Sequence, residues 1–223
     1  MLDAAKTMST DLLETLPLAH RLALSYAPRQ TRDATLGLLA LDARLAGIVR
    51  ADGEAIIAQM KLAWWRERLA DNPENWPVGE PLLALLAGSD IRPAGLVGLV
   101  NGWEGLLAER LSAASIDEFA QGRGEAWLAT AQLDDNEQAT VRGAAVEVGY
   151  FELNANLSDP EEKELTAERA HSAPWTRPAL PASHRPLAVL HALARRAQSK
   201  AEQQLLHGPA AMLTAMRVGI LGR

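Results

Sequence analysis

Leu38, Leu41, Leu45, Ile48 and Val49 follow one another at spacings of three, four, three and one. Apolar residues so spaced share one face of a 3.6-residue turn, so Arg32–Val49 is predicted to be an amphipathic helix about 27 Å long. Asp52-Gly53 breaks the pattern, and a second helix is expected over Glu54–Asp71, with Ile56, Ile57, Met60, Ala63 and Trp64 as its apolar stripe. So short a connection predicts antiparallel neighbours with a pocket between them. Trp64 shares its stripe with Ile57 and Met60, so it is expected to be largely buried.

The rest of the chain repeats the signal. Alanine and leucine are abundant, β-branched residues are sparse, and no segment alternates in the manner of a strand. Further helices are expected over Pro81–Ala87, Pro93–Leu111, Ile116–Leu133, Glu137–Leu157, Pro160–Ala170, Pro186–Leu206 and Pro209–Leu221. Several open on a proline, which suits a first helical position. Asn72–Pro81 holds three prolines and reads as a loop. Four prolines between Pro174 and Pro186 rule out a helix interior there and mark a long connector. The expectation is one all-α domain over residues 1–223.

Composition narrows the function classes. The 223 residues contain no cysteine, which excludes disulfides, thiolate zinc sites and a cysteine nucleophile. A net charge of −6 argues against a general nucleic-acid binder. No stretch approaches the roughly 18 apolar residues of a spanning helix. Met1 to Thr10 carries Asp3 and Lys6 without an export-type apolar run. A cytoplasmic location is expected.

The segment from Pro28 to Leu69 resembles the squalene/phytoene synthase family. Pro28, Arg32, Ala34, Leu38, Arg44, Ile48 and Val49 fit that family's frame without a gap, and Met60-Lys61-Leu62-Ala63-Trp64-Trp65-Arg66 is similar to its next helix. Weaker likeness continues at Asn101-Gly102-Trp103-Glu104, at Leu180-Pro181 and at Arg185-Pro186-Leu187. Leu45-Ala46 is similar to a divergent branch that includes an assembly factor for respiratory complex I. The resemblance implies an isoprenoid-synthase-like helical bundle.

It also implies a departure at the chemistry. Active members carry aspartates at the positions that fall on Ala46 and Arg50, with a further acidic position often on Gly47. Carboxylates four apart share a helix face and hold Mg²⁺ against the substrate diphosphate. Alanine cannot ligate, and arginine would repel the metal. The second motif falls on Phe151–Glu162, with Ser158 at a ligand position and Pro160 inside it; a further site aspartate falls near Leu106. These losses argue against head-to-head prenyl transfer.

Individual residues carry two readings each. Arg32, Arg44, Lys61, Arg66 and Arg68 form a cationic mouth for a diphosphate or anionic lipid, or they are solvated charges paired with Asp33, Asp42 or Glu67. Trp64-Trp65 lines an isoprenoid cavity, or one ring packs in the core while the other faces a lipid or partner, since adjacent side chains point about 100° apart. The pair Asp134-Asp135 reads as a helix cap rather than a metal pair, and Gly122-Arg123-Gly124 as a close helix contact. The five histidines show no zinc spacing.

Three functions follow. The first is a non-catalytic protein that keeps the fold and binds an isoprenoid, a lipid or a protein partner, with peripheral contact at the inner membrane face. Its expected ligand-binding residues are Arg32, Arg44, Arg50, Lys61 and Trp64, without a cofactor. The second is a prenyltransferase using arginines, with Mg²⁺ expected only if that enzyme reading holds. The third is an unrelated helical interaction module.

Overall fold

The computed structural model describes residues 9–51 and 53–222. Within them the chain is all-α, with no strand. The expectations for Met1 to Thr10 fall mostly on residues 1–8, and the helix break rests partly on Asp52; both lie outside the described residues.

Two short helices precede Pro28: α1 (residues 9–14) and α2 (Leu18–Leu24). They are followed by α3 (Arg29–Arg50), α4 (Ala55–Ala70), α5 (Pro81–Ala87) and α6 (Val97–Gly105). Then come α7 (Ala113–Leu128), α8 (Asp135–Asn156), α9 (Pro160–Ser172), α10 (Arg185–Ser199) and α11 (Gly208–Leu221).

Helix starts follow local chemistry. Pro28 is extended and sets the entry to α3 three residues earlier than the apolar stripe implied. Ser112 caps α7 reciprocally with Ser115, and Asp134 caps α8 reciprocally with Glu137. Each cap satisfies backbone N–H groups that a helix start leaves without partners.

Three expected ends move for identifiable reasons. The Pro93–Leu111 segment divides into a 3₁₀ turn, Pro93–Leu96, and α6, which stops at Gly105. Helix α7 stops at Leu128, where the Arg92 guanidinium donates to the carbonyls of Leu128 and Ala131. Helix α10 stops at Ser199 rather than Leu206: the chain turns through Ala201 at φ 53°, and Arg196 pairs with Glu202.

Helix α3 threads the core. Every residue from Ala34 to Asp42 is buried, so this part of the helix is covered on all sides rather than along one stripe. Helix α4 touches α3 but packs more extensively on α6.

The buried residues of α4 are Leu62, Trp65 and Leu69, spaced three and four apart. Trp64, expected to be buried, is 38% exposed, whereas Trp65 is 4% exposed. Ile56, Ile57 and Met60 are exposed beside Trp64. Both stripes have helical spacing, and the protein buries the one that meets α6.

The tightest seam joins α6 to α7. A Cβ on Gly122 would lie 2.2 Å from the Gly98 carbonyl oxygen, and one on Gly102 would lie 2.7 Å from the Phe119 Cα. Neither position has room for a side chain. This close approach sets Trp103 against Phe119, edge to face at 5.0 Å, and brings Arg123 in beside them.

The proline-rich connector is ordered, ending in a 3₁₀ turn at Ala182–His184. Glu147 holds its start by accepting from the Trp175 backbone N–H at 2.8 Å and from His191 Nε2. The Trp175 ring stacks on His191, and its indole N–H donates to the Ala170 carbonyl.

Candidate ligand cavity

An open cavity of about 610 Å³ lies between α2, α3, α6, α7 and α8. Its walls are largely apolar. Ala46 and Val49 come from α3, Trp103 from α6, Phe119 from α7, and Phe151 and Leu153 from α8. Its volume falls in the ordinary range for small-molecule sites, about 300–1,000 Å³.

The floor is a compact ion cluster. Arg123 on α7 donates to Asp42 Oδ2 on α3 and to Glu152 Oε2 on α8. His20 on α2 donates from Nε2 to Glu152 Oε1 at 2.7 Å. The Trp103 indole N–H donates to Asp42 Oδ1 at 2.8 Å. The four charged side chains are only 9–13% exposed. Arg123 also lies 5.1 Å from the centre of the Phe119 ring.

Burial disfavours the charged forms of Glu152, His20 and Arg123, and their mutual contacts oppose it. Burial opposes charge on Glu152, but His20 and Arg123 hold its carboxyl far below the ordinary range. Burial likewise disfavours His20 as a cation, and Glu152 outweighs it, so the imidazole is raised above 6.5. Arg123 is fixed as a cation by Asp42 and Glu152 against its own burial. With His20 protonated, two cations balance two carboxylates.

Two polar atoms of the cluster have no hydrogen-bond partner: His20 Nδ1 and Arg123 Nε. Both side chains line the cavity. They also border a separate void of about 20 Å³, room for about one water.

The five residues expected to bind ligand do not converge. Arg50 is at the cavity, one turn from Ala46, which also lines it. Arg44, Lys61 and Trp64 instead line a separate outer groove of about 620 Å³ between α3 and α4, with Ile48, Ile57 and Met60. Arg44 faces Glu80 there at 3.8 Å. Arg32 lines neither space and donates to the Leu24 carbonyl at 3.0 Å. Arg66 pairs with Glu104, and Arg68 with Glu67. A single cationic mouth is therefore not formed.

Asn154, in the stretch laid on the second motif, donates to the Lys163 carbonyl and orders the turn into α9. Leu106, at the further aspartate position, lines the cavity.

Asp42, Ala46, Arg50 and Glu152 do not form a Mg²⁺ site. All four oxygens of Asp42 and Glu152 already accept bonds from Trp103, Arg123 and His20. Ala46 offers no ligand, and Arg50 adds positive charge. Among the described residues no three acidic or histidine side chains gather as metal ligands.

Sequence reasoning missed His20, Asp42, Arg123 and Glu152. A signal existed: Asp42 is the first charge after the uncharged run Leu36–Leu41, Glu152 lies between Phe151 and Leu153, and Arg123 between two glycines. A lone charge inside an apolar or glycine-tight run is the informative exception, because such runs are buried.

Fold and site together define an all-α protein with an apolar-walled cavity over a neutralised ion cluster. No family model matches the chain, and no curated protein matches it significantly. Among the described residues no helix is long and apolar enough to cross a membrane.

Proposed function

We propose that this is a non-catalytic protein of the squalene/phytoene synthase type that holds an isoprenoid or similar lipid in its central cavity. One observation carries the reading: a cavity of about 610 Å³ remains open where Ala46 and Arg50 face inward. Its size and largely apolar lining are those of a small-molecule site. Apolar walls suit a hydrocarbon tail. The floor carboxylates are committed to Arg123, His20 and Trp103, and Ala46 and Arg50 offer no metal ligand, which supports this reading over a prenyltransferase.

Trp103 and Phe119 make the test direct. Titration with farnesol, followed by tryptophan fluorescence, is expected to show saturable 1:1 binding. Ala46→Trp, which fills the cavity, is expected to abolish it while circular dichroism stays unchanged. Absence of binding to the native chain sinks the proposal, as does product formation from farnesyl or geranylgeranyl diphosphate.

A second reading, an assembly protein with a protein partner, is favoured by the outer groove. Ile56, Ile57, Met60 and Trp64 are exposed together on α4. Ile57→Ser with Met60→Ser would weaken partner capture under that reading and leave farnesol binding intact.

A further inference from the structure

A third space lies between the central cavity and the outer groove. Helix α3 divides the two: Asp42, Ala46 and Arg50 line the cavity, while Arg44 and Ile48 line the groove. Ala43 and Gly47, one turn apart, occupy the helix surface between those faces. With Thr15 they line both the cavity and a space of about 240 Å³, which shares Arg44, Ile48 and Lys61 with the groove. A Cβ on Gly47 would meet nothing within 4 Å among the described residues. These small residues leave a low saddle across α3.

The two approaches to the cavity differ in character. Its own rim carries Arg50, Glu109, Glu162 and Gln203. The groove side is apolar: Ile56, Ile57, Met60 and Trp64 are all exposed on α4 and span about 12 Å of it. Lys61 lines the groove with them and has no ion pair among the described residues. Glu80 is the one acid among the described residues lining the groove, and Arg44 faces it at 3.8 Å. Glu67, near the end of α4, is held by Arg68, and Glu54 stands at the start. On a chain of net charge −6 the groove is therefore an apolar surface with local positive charge. Aliphatic side chains, a tryptophan and a lysine together on one exposed face suit the headgroup region of an anionic bilayer.

Resting on the cavity reading for its ligand, we propose that the exposed face of α4 docks on an anionic lipid bilayer, and that the ligand passes from it along the groove and over Gly47 into the cavity. Ile57, Met60 and Trp64 enter the headgroup boundary, and Lys61 meets lipid phosphate. A water-insoluble ligand is then exchanged without crossing the charged rim.

Flotation with vesicles of phosphatidylcholine, alone or with about one-third phosphatidylglycerol, tests the docking. The native chain is expected to float with the anionic vesicles and to be released by high salt. Lys61→Ala should weaken this roughly fivefold, and Ile57→Ser with Met60→Ser by more than about tenfold. A native chain that does not float overturns the proposal and leaves the α4 face to a protein partner. Equal flotation on neutral vesicles overturns it as well. So does flotation that survives the serine pair, which would place the contact elsewhere, as on the exposed Leu213 and Ile220 of α11. The route is read as the rate at which farnesol-loaded anionic vesicles, compared with empty ones, change tryptophan fluorescence. Gly47→Leu, at an exposed helical position with room for the side chain, is expected to slow transfer by about tenfold or more while flotation persists. Transfer at the native rate overturns the route. If dispersed farnesol does not bind the native chain at all, the cavity reading has failed and the route with it, while flotation still decides the docking.

Discussion

Arg123 donates to Asp42, 81 positions earlier in the chain, and with its other terminal nitrogen to Glu152, 29 positions later. One guanidinium thus ties α3, α7 and α8 together beneath the cavity. The planar fork of arginine suits this bridging, and a lysine point charge would not reproduce it. The pairing also explains how Glu152 sits at the edge of an apolar space without becoming neutral.

Removing that cation should be expensive. Arg123→Met keeps the stem and deletes the charge, leaving Asp42 and Glu152 facing each other without a bridge. Urea unfolding is expected to show a loss of about 3–5 kcal/mol, the usual result of stranding a buried charge. Adding Asp42→Asn and Glu152→Gln to this variant should recover part of the loss. If the triple variant is no more stable than Arg123→Met, the cost lies in packing against Phe119 instead.

The cluster also gives stability a pH dependence with a definite sign. Glu152 has a depressed value, so its contribution is complete above the unfolded value of 4.5 and is lost as pH falls through the much lower folded value. His20 has a raised value, so its contribution is complete below the unfolded value of 6.5 and is lost as pH rises through the folded value. Glu152, Arg123 and Asp42 are the charged groups around this imidazole. Both contributions are whole only between about pH 4.5 and 6.5. His184 slopes the other way, because burial lowers it. The native curve minus that of His20→Gln isolates the effect: the difference should fall as pH rises above about 6.5. A difference that grows over that range would contradict the assignment.

Two adjacent tryptophans provide a contrast within one turn of helix. Trp65→Ala removes a ring that is 4% exposed and is expected to cost about 3–5 kcal/mol in urea unfolding. Trp64→Ala removes one that is 38% exposed and is expected to cost under about 1 kcal/mol. Equal losses would mean that the ring packing of Trp64 on Trp65, edge to face at 5.0 Å, governs both positions.

The helices were largely legible because apolar spacing, prolines and caps are local signals. Asp134 caps α8 as its sequence position suggests, and Gly122 meets the Gly98 backbone as its small size suggests. The face of α4 was not legible. Ile57–Met60–Trp64 and Leu62–Trp65–Leu69 are both apolar at helical spacing, and only the position of α6 decides between them. The site was legible only in part. Ala46 and Arg50 face the cavity because they share a helix face with Asp42. His20 and Glu152 are separated by 132 positions, so no spacing rule connects them. Their pairing follows from α2 and α8 bordering one cavity.

That shared face of α3 supports a last prediction. Asp42, Ala46 and Arg50 lie at successive steps of four and all line the cavity. Ala46→Asp with Arg50→Asp therefore places two new carboxylates one turn apart, next to Asp42, and removes the cation that opposes a metal. Calorimetric titration is expected to show Mg²⁺ binding by the double variant, strengthened by a diphosphate analogue whose oxygens complete the coordination. The native chain is expected to show no coupling between metal and analogue. No product should form from farnesyl diphosphate, because Leu106 leaves the facing wall without a ligand and Glu152 stays committed to Arg123 and His20. A double variant that folds yet binds no Mg²⁺ would show that these side chains do not converge. Metal-coupled binding by the native chain would instead put the prenyltransferase reading ahead of the non-catalytic one.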